Sequence, residues 1–190
     1  NCELAELGRE MGCQMMVEGP GHVPLDEIEG NIMLEKRMSG NAPYYVLGPL
    51  PLDTGAGYDH IVSAIGAANS ARYGADLICY ITPAEHLALP NENDVREGVR
   101  VTRLAARIGD MSKYPDRREN EKNAAMARRD MRWEDLEKLL MFPGKAMEIR
   151  KSRMPEEEST CTMCGDFCAM KKGMEVFKGD IRGDKVSLKN

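Results

Sequence analysis

The chain reads as an α/β fold built on a parallel sheet. Short, continuously apolar runs recur along it, each is followed by a helical pattern, and the units repeat at about thirty residues, the length of a strand-helix unit. Strands that are apolar throughout, rather than on alternate residues, suit a sheet with neither face given to water. Two architectures satisfy this, a barrel and a doubly wound sheet.

The first twelve residues read as a helix already under way, and the chain opens on Asn1. It is therefore expected to be the C-terminal part of something longer. The run Met15-Met16-Val17 ends at Glu18 and the loop Gly19-Pro20-Gly21-His22, after which the spacing predicts a helix over 24–38. Tyr44-Tyr45-Val46-Leu47 ends in a loop over 48–57, and an alanine-rich helix follows over 58–73. Leu77-Ile78-Cys79-Tyr80-Ile81 ends in Thr82-Pro83-Ala84-Glu85-His86, and a long amphipathic helix begins near Asn93. In a barrel the active site lies at the C-terminal ends of the strands, where Glu18, His22, Asp59, Glu85 and His86 fall. Three units cannot close an eight-stranded barrel, which takes about 250 residues. Residues 1–113 are thus expected to be the last β/α units of a TIM-like barrel. Residues 114–154 form a helical region, with Trp133, Leu136, Leu139 and Leu140 at helical spacing and a further helix after Pro143. Residues 155–190 are an arm: an acidic linker, Pro155-Glu156-Glu157-Glu158-Ser159, then a cysteine motif. The last twenty residues, with Lys171, Lys172, Gly179, Gly183 and Lys189, have little apolar content and are expected to be mobile.

Composition narrows the function. The 190 residues are 42% hydrophobic and 30% charged, with 26 basic against 31 acidic side chains and a net charge of −5. The balance offers no long-range attraction for nucleic acid or anionic lipid, and no basic stripe interrupts it. No apolar run approaches the roughly 20 residues that span a bilayer, and no secretory signal opens the chain. A cytoplasmic setting is expected, in which clustered thiols are metal ligands rather than disulfides.

Cys161-Thr162-Met163-Cys164-Gly165-Asp166-Phe167-Cys168 places three of the six cysteines within eight residues, with no other cysteine after residue 100. Iron-sulfur clusters are normally held by four thiolates. A set of three leaves one iron open to a substrate or cofactor. A zinc site completed by a distant residue and a redox-active pair of thiols stand as alternatives.

His22 and His86 occupy matching places after two strands, so their loops can share one cavity and hold a divalent ion such as zinc; hydrogen-bonded surface histidines are the plain alternative. Asp59 beside His60 either caps a helix or orients an imidazole. Gly55-Ala56-Gly57 serves as a tight turn or a weak anion cradle. Glu18 can accept hydrogen bonds from a ring nitrogen or ribose hydroxyl, and Tyr45 can present its phenol to the same cavity or sit in the core. Cys2, Cys13 and Cys79 read as small buried apolar residues, and the fourteen methionines as core residues without cofactor meaning.

The stretches 17–24 (VEGPGHVP), 45–50 (YVLGPL), 57–61 (GYDHI), 80–86 (YITPAEH), 132–135 (RWED) and 161–170 (CTMCGDFCAM) together closely resemble the phosphomethylpyrimidine synthase family, also called the ThiC family, over residues 1–170. The resemblance implies a (β/α)8 barrel and a radical S-adenosylmethionine carbon-carbon lyase. Its reaction turns 5-aminoimidazole ribotide into 4-amino-5-hydroxymethyl-2-methylpyrimidine phosphate for thiamine biosynthesis, releasing formate and carbon monoxide. By that likeness Cys161, Cys164 and Cys168 hold a 4Fe-4S cluster whose open iron binds S-adenosylmethionine. His22 and His86 bind zinc, and Glu18 and Tyr45 contact substrate. Asp59, His60 and Glu85 are candidates to support the metal-binding imidazoles. A homodimer that exchanges its cysteine arms, and an electron donor such as ferredoxin or flavodoxin, follow from the same likeness.

Two departures accompany it. Three residues separate the second and third cysteines, where the family's commonest form has four. The front of the barrel, with a Ser-Arg-Gly phosphate loop, is absent, so this chain alone is expected to be inactive. A paralogue, 5-hydroxybenzimidazole synthase, shares fold, substrate and cofactors but makes a cobamide precursor. An electron carrier and a zinc-stabilised binding module are the alternatives from other classes.

Overall fold

The computed structural model describes residues 1–154 and 160–176. The expected linker over 155–159, and Gly179, Gly183 and Lys189 of the tail, lie outside the described residues. The chain divides into two compact units, Asn1–Arg117 and Arg118–Asn190.

The first unit alternates helix and strand: α1 (Cys2–Glu10), β1 (Val17–Glu18), α2 (Ile28–Met38), β2 (Tyr44–Leu47), α3 (Asp59–Tyr73), β3 (Leu77–Cys79) and α4 (Glu92–Lys113). The strands form one sheet in the order β1-β2-β3, parallel throughout. An α/β architecture with a small parallel sheet is therefore present, and no closed barrel is seen among the described residues. Val17 stands opposite Tyr44 and Glu18 opposite Tyr45, while Tyr45, Val46 and Leu47 face Leu77, Ile78 and Cys79.

That register sorts the side chains onto two faces. Val17, Tyr44 and Val46 are 4%, 3% and 1% exposed and pack with Ile28 and Ile32 of α2. Glu18, Tyr45 and Leu77 point the other way, and Leu77 is 48% exposed. One face is core; on the other, Glu18 and Leu77 are exposed while Leu47 packs against Leu50, Val62 and Ile81.

Two helices show why the layer is thin. The buried side of α3 includes the small residues Gly66, Ala67, Ser70 and Ala71, and a Cβ at Gly66 would run into the Pro49 carbonyl. On α4, a Cβ at Gly98 would run into the Ile81 carbonyl, and one at Gly109 into Ala71. Asn91 begins α4 with a capping box: its side chain accepts from the amides of Asn93 and Asp94, and its own amide donates to the Asp94 carboxylate at 2.9 Å.

The second unit is helical. It contains most of α5 (Arg117–Arg129), then α6 (Trp133–Leu139), α7 (Pro143–Ser152), a short 3-10 turn over Gly165–Phe167, and α8 (Ala169–Val176). Pro143 opens α7, where its missing N–H costs nothing.

Several expectations are corrected. Residues 15–16 and 80–81 lie outside the strands, and the second helix starts at Ile28 because 24–27 form a turn closed by the Glu27 amide on the Pro24 carbonyl. The part of the tail from Lys171 to Val176 is helical; Ala169, Met170, Lys171 and Lys172 are good helix formers. The methionines are not core residues: none belongs to the buried hydrophobic set among the described residues, and Met11, Met16, Met33 and Met163 are exposed. Nor are the three separate cysteines buried. Cys13 is exposed, and Cys2 and Cys79 are partly so.

Candidate functional site

The loops after β1, β2 and β3 leave the sheet at one edge, and each contributes to a polar group there. His22 is set by the backbone. It forms a parallel bridge with Leu50, whose amide donates to the Gly21 carbonyl at 2.7 Å and whose carbonyl accepts from Val23 at 3.3 Å. Its Nδ1 lies 2.7 Å from Asp53 Oδ1, on the loop after β2. His86 sits in a turn over 82–88 and takes a left-handed φ of 59°, which costs strain that the turn must sustain. Its Nδ1 lies 3.5 Å from Asp59 Oδ2, and that carboxylate is 5% exposed.

The two imidazoles meet. Their ring centroids are 5.2 Å apart and tilted by 40°. Two imidazoles bound to one tetrahedral ion at ~2.1 Å would hold their centroids about 5 Å apart. With a carboxylate at each Nδ1, Nε2 is the nitrogen left for a metal, the arrangement in which an outer carboxylate fixes the tautomer and the ring. The donor pair therefore fits zinc. Two more ligands would have to come from solvent, substrate or another part of the protein, since no group of three or more His, Cys, Asp or Glu gathers around one point among the described residues.

Asp59 does not cap its helix. It is the first residue of α3, and no side-chain cap is made there. Nor does it face its neighbour His60, whose buried Nδ1 has no hydrogen-bond partner among the described residues. The imidazole it supports is that of His86. Glu85 is half-buried on the His86 turn. Gly55 and Gly57 belong to a turn over 54–57, and Gly57 adopts a φ of 87° there.

Glu18 and Tyr45 stand side by side across β1 and β2, and Cys79, opposite Leu47 on β3, reaches the Tyr45 hydroxyl diagonally. The Cys79 thiol, as hydrogen-bond partner, burial, and the charges of Cys79 and Glu18 push the Tyr45 phenol up to about 12. Tyr44, on the opposite face, is likewise pushed up to about 12, by burial first and then by Glu35 and Cys2. Its hydroxyl donates to Asn31 Oδ1 at 3.0 Å. A cavity of about 670 Å³ lies beside β1, lined by residues that include Cys2, Met15, Glu18, Glu35 and Tyr44, and does not reach His22 or His86.

In the second unit Cys161 and Cys164 are exposed, Cys168 is half-buried, and all three are free thiols. Gly165 turns the chain between the last two with a φ of 50°, a conformation that suits glycine. Three free thiols on one short turned segment, with no fourth beside them among the described residues, fit a cluster with one iron left open.

Comparison with known proteins follows this geometry. The profile of the Radical SAM ThiC family matches residues 1–175. A protein of Desulforapulum autotrophicum named 5-hydroxybenzimidazole synthase is 78% identical over 187 residues, 98% of this chain and 43% of its own length. One of Geobacter sulfurreducens with the same name is 66% identical over the same shares. A Methanosarcina barkeri protein named phosphomethylpyrimidine synthase 1 is 56% identical over 172 residues, 90% of this chain and 40% of its own length. The chain spans less than half the length of these relatives. Among the described residues no helix is long and apolar enough to cross a membrane.

Proposed function

Because this chain belongs to the radical SAM ThiC family, we propose that it supplies the strand-end pocket and the cysteine arm of a radical S-adenosylmethionine carbon-carbon lyase acting on 5-aminoimidazole ribotide, with 5-hydroxybenzimidazole as product. The observation that carries the product is a step in relatedness. Four relatives named 5-hydroxybenzimidazole synthase are 63% to 78% identical, and four named phosphomethylpyrimidine synthase are 53% to 56% identical. This reverses the order expected from the sequence motifs, which put the pyrimidine phosphate and thiamine biosynthesis first. That product stays as the second reading, supported by identity above half over most of the chain.

The architecture in this reading is the end of a (β/α)8 barrel over 1–113, a helical region over 114–154 and the cluster-binding arm over 155–190. A parallel sheet with its strands in chain order, α2 packed on one face and Glu18, Tyr45 and Leu77 on the other supports it.

Within the pocket, Glu18 accepts hydrogen bonds from the ribotide, and the Tyr45 phenol, held protonated, donates one. His22 and His86 would hold zinc through Nε2, while Asp53 and Asp59 fix their rings. Cys161, Cys164 and Cys168 would hold the 4Fe-4S cluster, which when bound supplies the electron that cleaves S-adenosylmethionine. The reading includes a homodimer and a ferredoxin- or flavodoxin-type electron donor.

The test is product analysis of the full-length protein under anaerobic conditions with reductant, S-adenosylmethionine and aminoimidazole ribotide. Hydroxybenzimidazole is expected, with 5′-deoxyadenosine formed alongside it, and Cys164→Ala should abolish both. Pyrimidine phosphate selects the second reading. Iron without cleavage of S-adenosylmethionine would point to an electron carrier, and zinc in place of iron to a binding module.

A further inference from the structure

The cysteine segment is tied to the helices before it on both sides of its first thiol. On α7, the Arg150 guanidinium lies over the Trp133 ring, 3.9 Å from its centroid, and donates from Nη1 to the Thr160 carbonyl at 2.9 Å. Thr160 immediately precedes Cys161. On the far side, Thr162 Oγ1 donates to the Arg153 carbonyl at 3.4 Å, just past the end of α7. Trp133 is the first residue of α6 and the only tryptophan of the chain.

Guanidinium chemistry suits this double task. Its face stacks on an aromatic ring while its edge presents N–H donors in the plane, so one side chain can rest on α6 and still hold a carbonyl. A lysine ammonium is a point charge without that division. The hydrogen bond comes from a charged donor, the stronger kind, and its acceptor is main chain, so the contact fixes the path of the backbone into Cys161.

We propose that Trp133 and Arg150 form a strut that positions the cysteine loop through the Thr160 main chain, so that the first of the three thiolates is presented from a fixed point. They are positioning residues, one step removed from any iron. The proposal rests on the reading of Cys161, Cys164 and Cys168 as cluster ligands, and it adds that helix α7 and the Trp133 ring belong to the cluster-binding apparatus. The Thr162 contact is a weaker second tie on the same segment.

The experiment uses full-length protein, prepared anaerobically with and without reconstituted iron and sulfide, carrying Arg150→Ala, Trp133→Leu or Arg150→Lys. Amide hydrogen exchange of the metal-free protein is followed over 160–168 and, separately, over α6 and α7. Iron loss to a ferrous chelator is timed in the loaded protein. Arg150→Ala should speed exchange over 160–168 by about tenfold, the scale of losing one charged hydrogen bond, while α6 and α7 exchange as before. Iron loss should quicken to a similar degree. Trp133→Leu should act in the same direction, and Arg150→Lys should restore only part of the protection.

Unchanged exchange over 160–168 in Arg150→Ala overturns the strut. So does an equal rise across both helices, which would mean that the pair merely holds the hairpin together. If the unaltered protein takes up no iron yet the metal-free exchange pattern holds, the strut stands and the cluster reading fails. If iron loads normally in every variant and exchange never changes, the reverse is true.

Discussion

Asp59, at the start of α3, is nearly inaccessible, yet it lies within ion-pair reach of the half-exposed His86 imidazole on the loop after β3. Carboxylates in that position hold a metal-binding histidine in one tautomer, and their loss weakens the metal by about ten- to a hundredfold. Asp59→Asn in the full-length protein is therefore expected to lower zinc affinity by that factor, read by competition with a chelator, while the fold survives. His86→Asn is the cleaner ligand deletion than His86→Ala, since asparagine tolerates the left-handed backbone recorded there. At the proposed zinc site it should abolish metal retention without disturbing 82–88. The tyrosines give a pH prediction. Both Tyr44 and Tyr45 have folded values near 12 against an ordinary 10. A raised pKa favours the neutral phenol in the folded state, so this contribution is complete below about pH 10 and is lost as pH climbs towards 12. Difference titration of the tyrosinate band against Tyr44→Phe and Tyr45→Phe should show both rings ionising late; a midpoint near 10 for either would contradict it. Sequence could show that His22 and His86 follow equivalent strands. It could not show Asp53 behind His22, a contact made across 31 positions by the path of a loop, nor that Asp59 faces a distant histidine in preference to the adjacent one. Cys79 was passed over because a cysteine inside an apolar run carries no mark of its neighbours. The strand register sets it opposite Leu47, and only the folded side chains bring its thiol diagonally to the Tyr45 phenol.

Between elements, α4 packs closely on α3 and on Ile81 just beyond β3. This packing depends on glycines that act through their lack of a Cβ. Gly98→Ala would push a methyl into the Ile81 carbonyl, which is main chain and cannot rotate away. Overpacking of this kind costs about 1–3 kcal/mol, so chemical denaturation of the full-length protein should report a loss in that range. Gly144→Ala, with open space around it, serves as the control. The order of strands and helices was legible because apolar runs and amphipathic stretches alternate so regularly, and the helix expected near Asn93 starts at Glu92, where Asn91 and Asp94 make a capping box that the sequence reading did not use. Strand lengths were overread. Hydrophobicity continues through Tyr80 and Ile81, but the ladder stops at Cys79, since apolar character measures burial and not hydrogen-bond pairing. The same confusion placed the methionines inside: helical spacing marks a face, and only a neighbouring element decides whether that face is covered.

As a whole, the chain covers 43% of the length of relatives it matches over 98% of its own. Its sheet has the composition of an interior and the boundary of a fragment of one. Val17 and Glu18 at one flank and 77–79 at the other keep main-chain donors and acceptors that no further strand among the described residues takes up. Such flanks are templates for pairing. Two flanks without a partner strand among the described residues do not require a continuous backbone to be paired. Split at this point and produced as two polypeptides in one cell, a full-length relative should reassemble by completing its own ladders. A tag on either piece would then recover the other, and a failure to co-purify would mean that these strands are closed off in some other way.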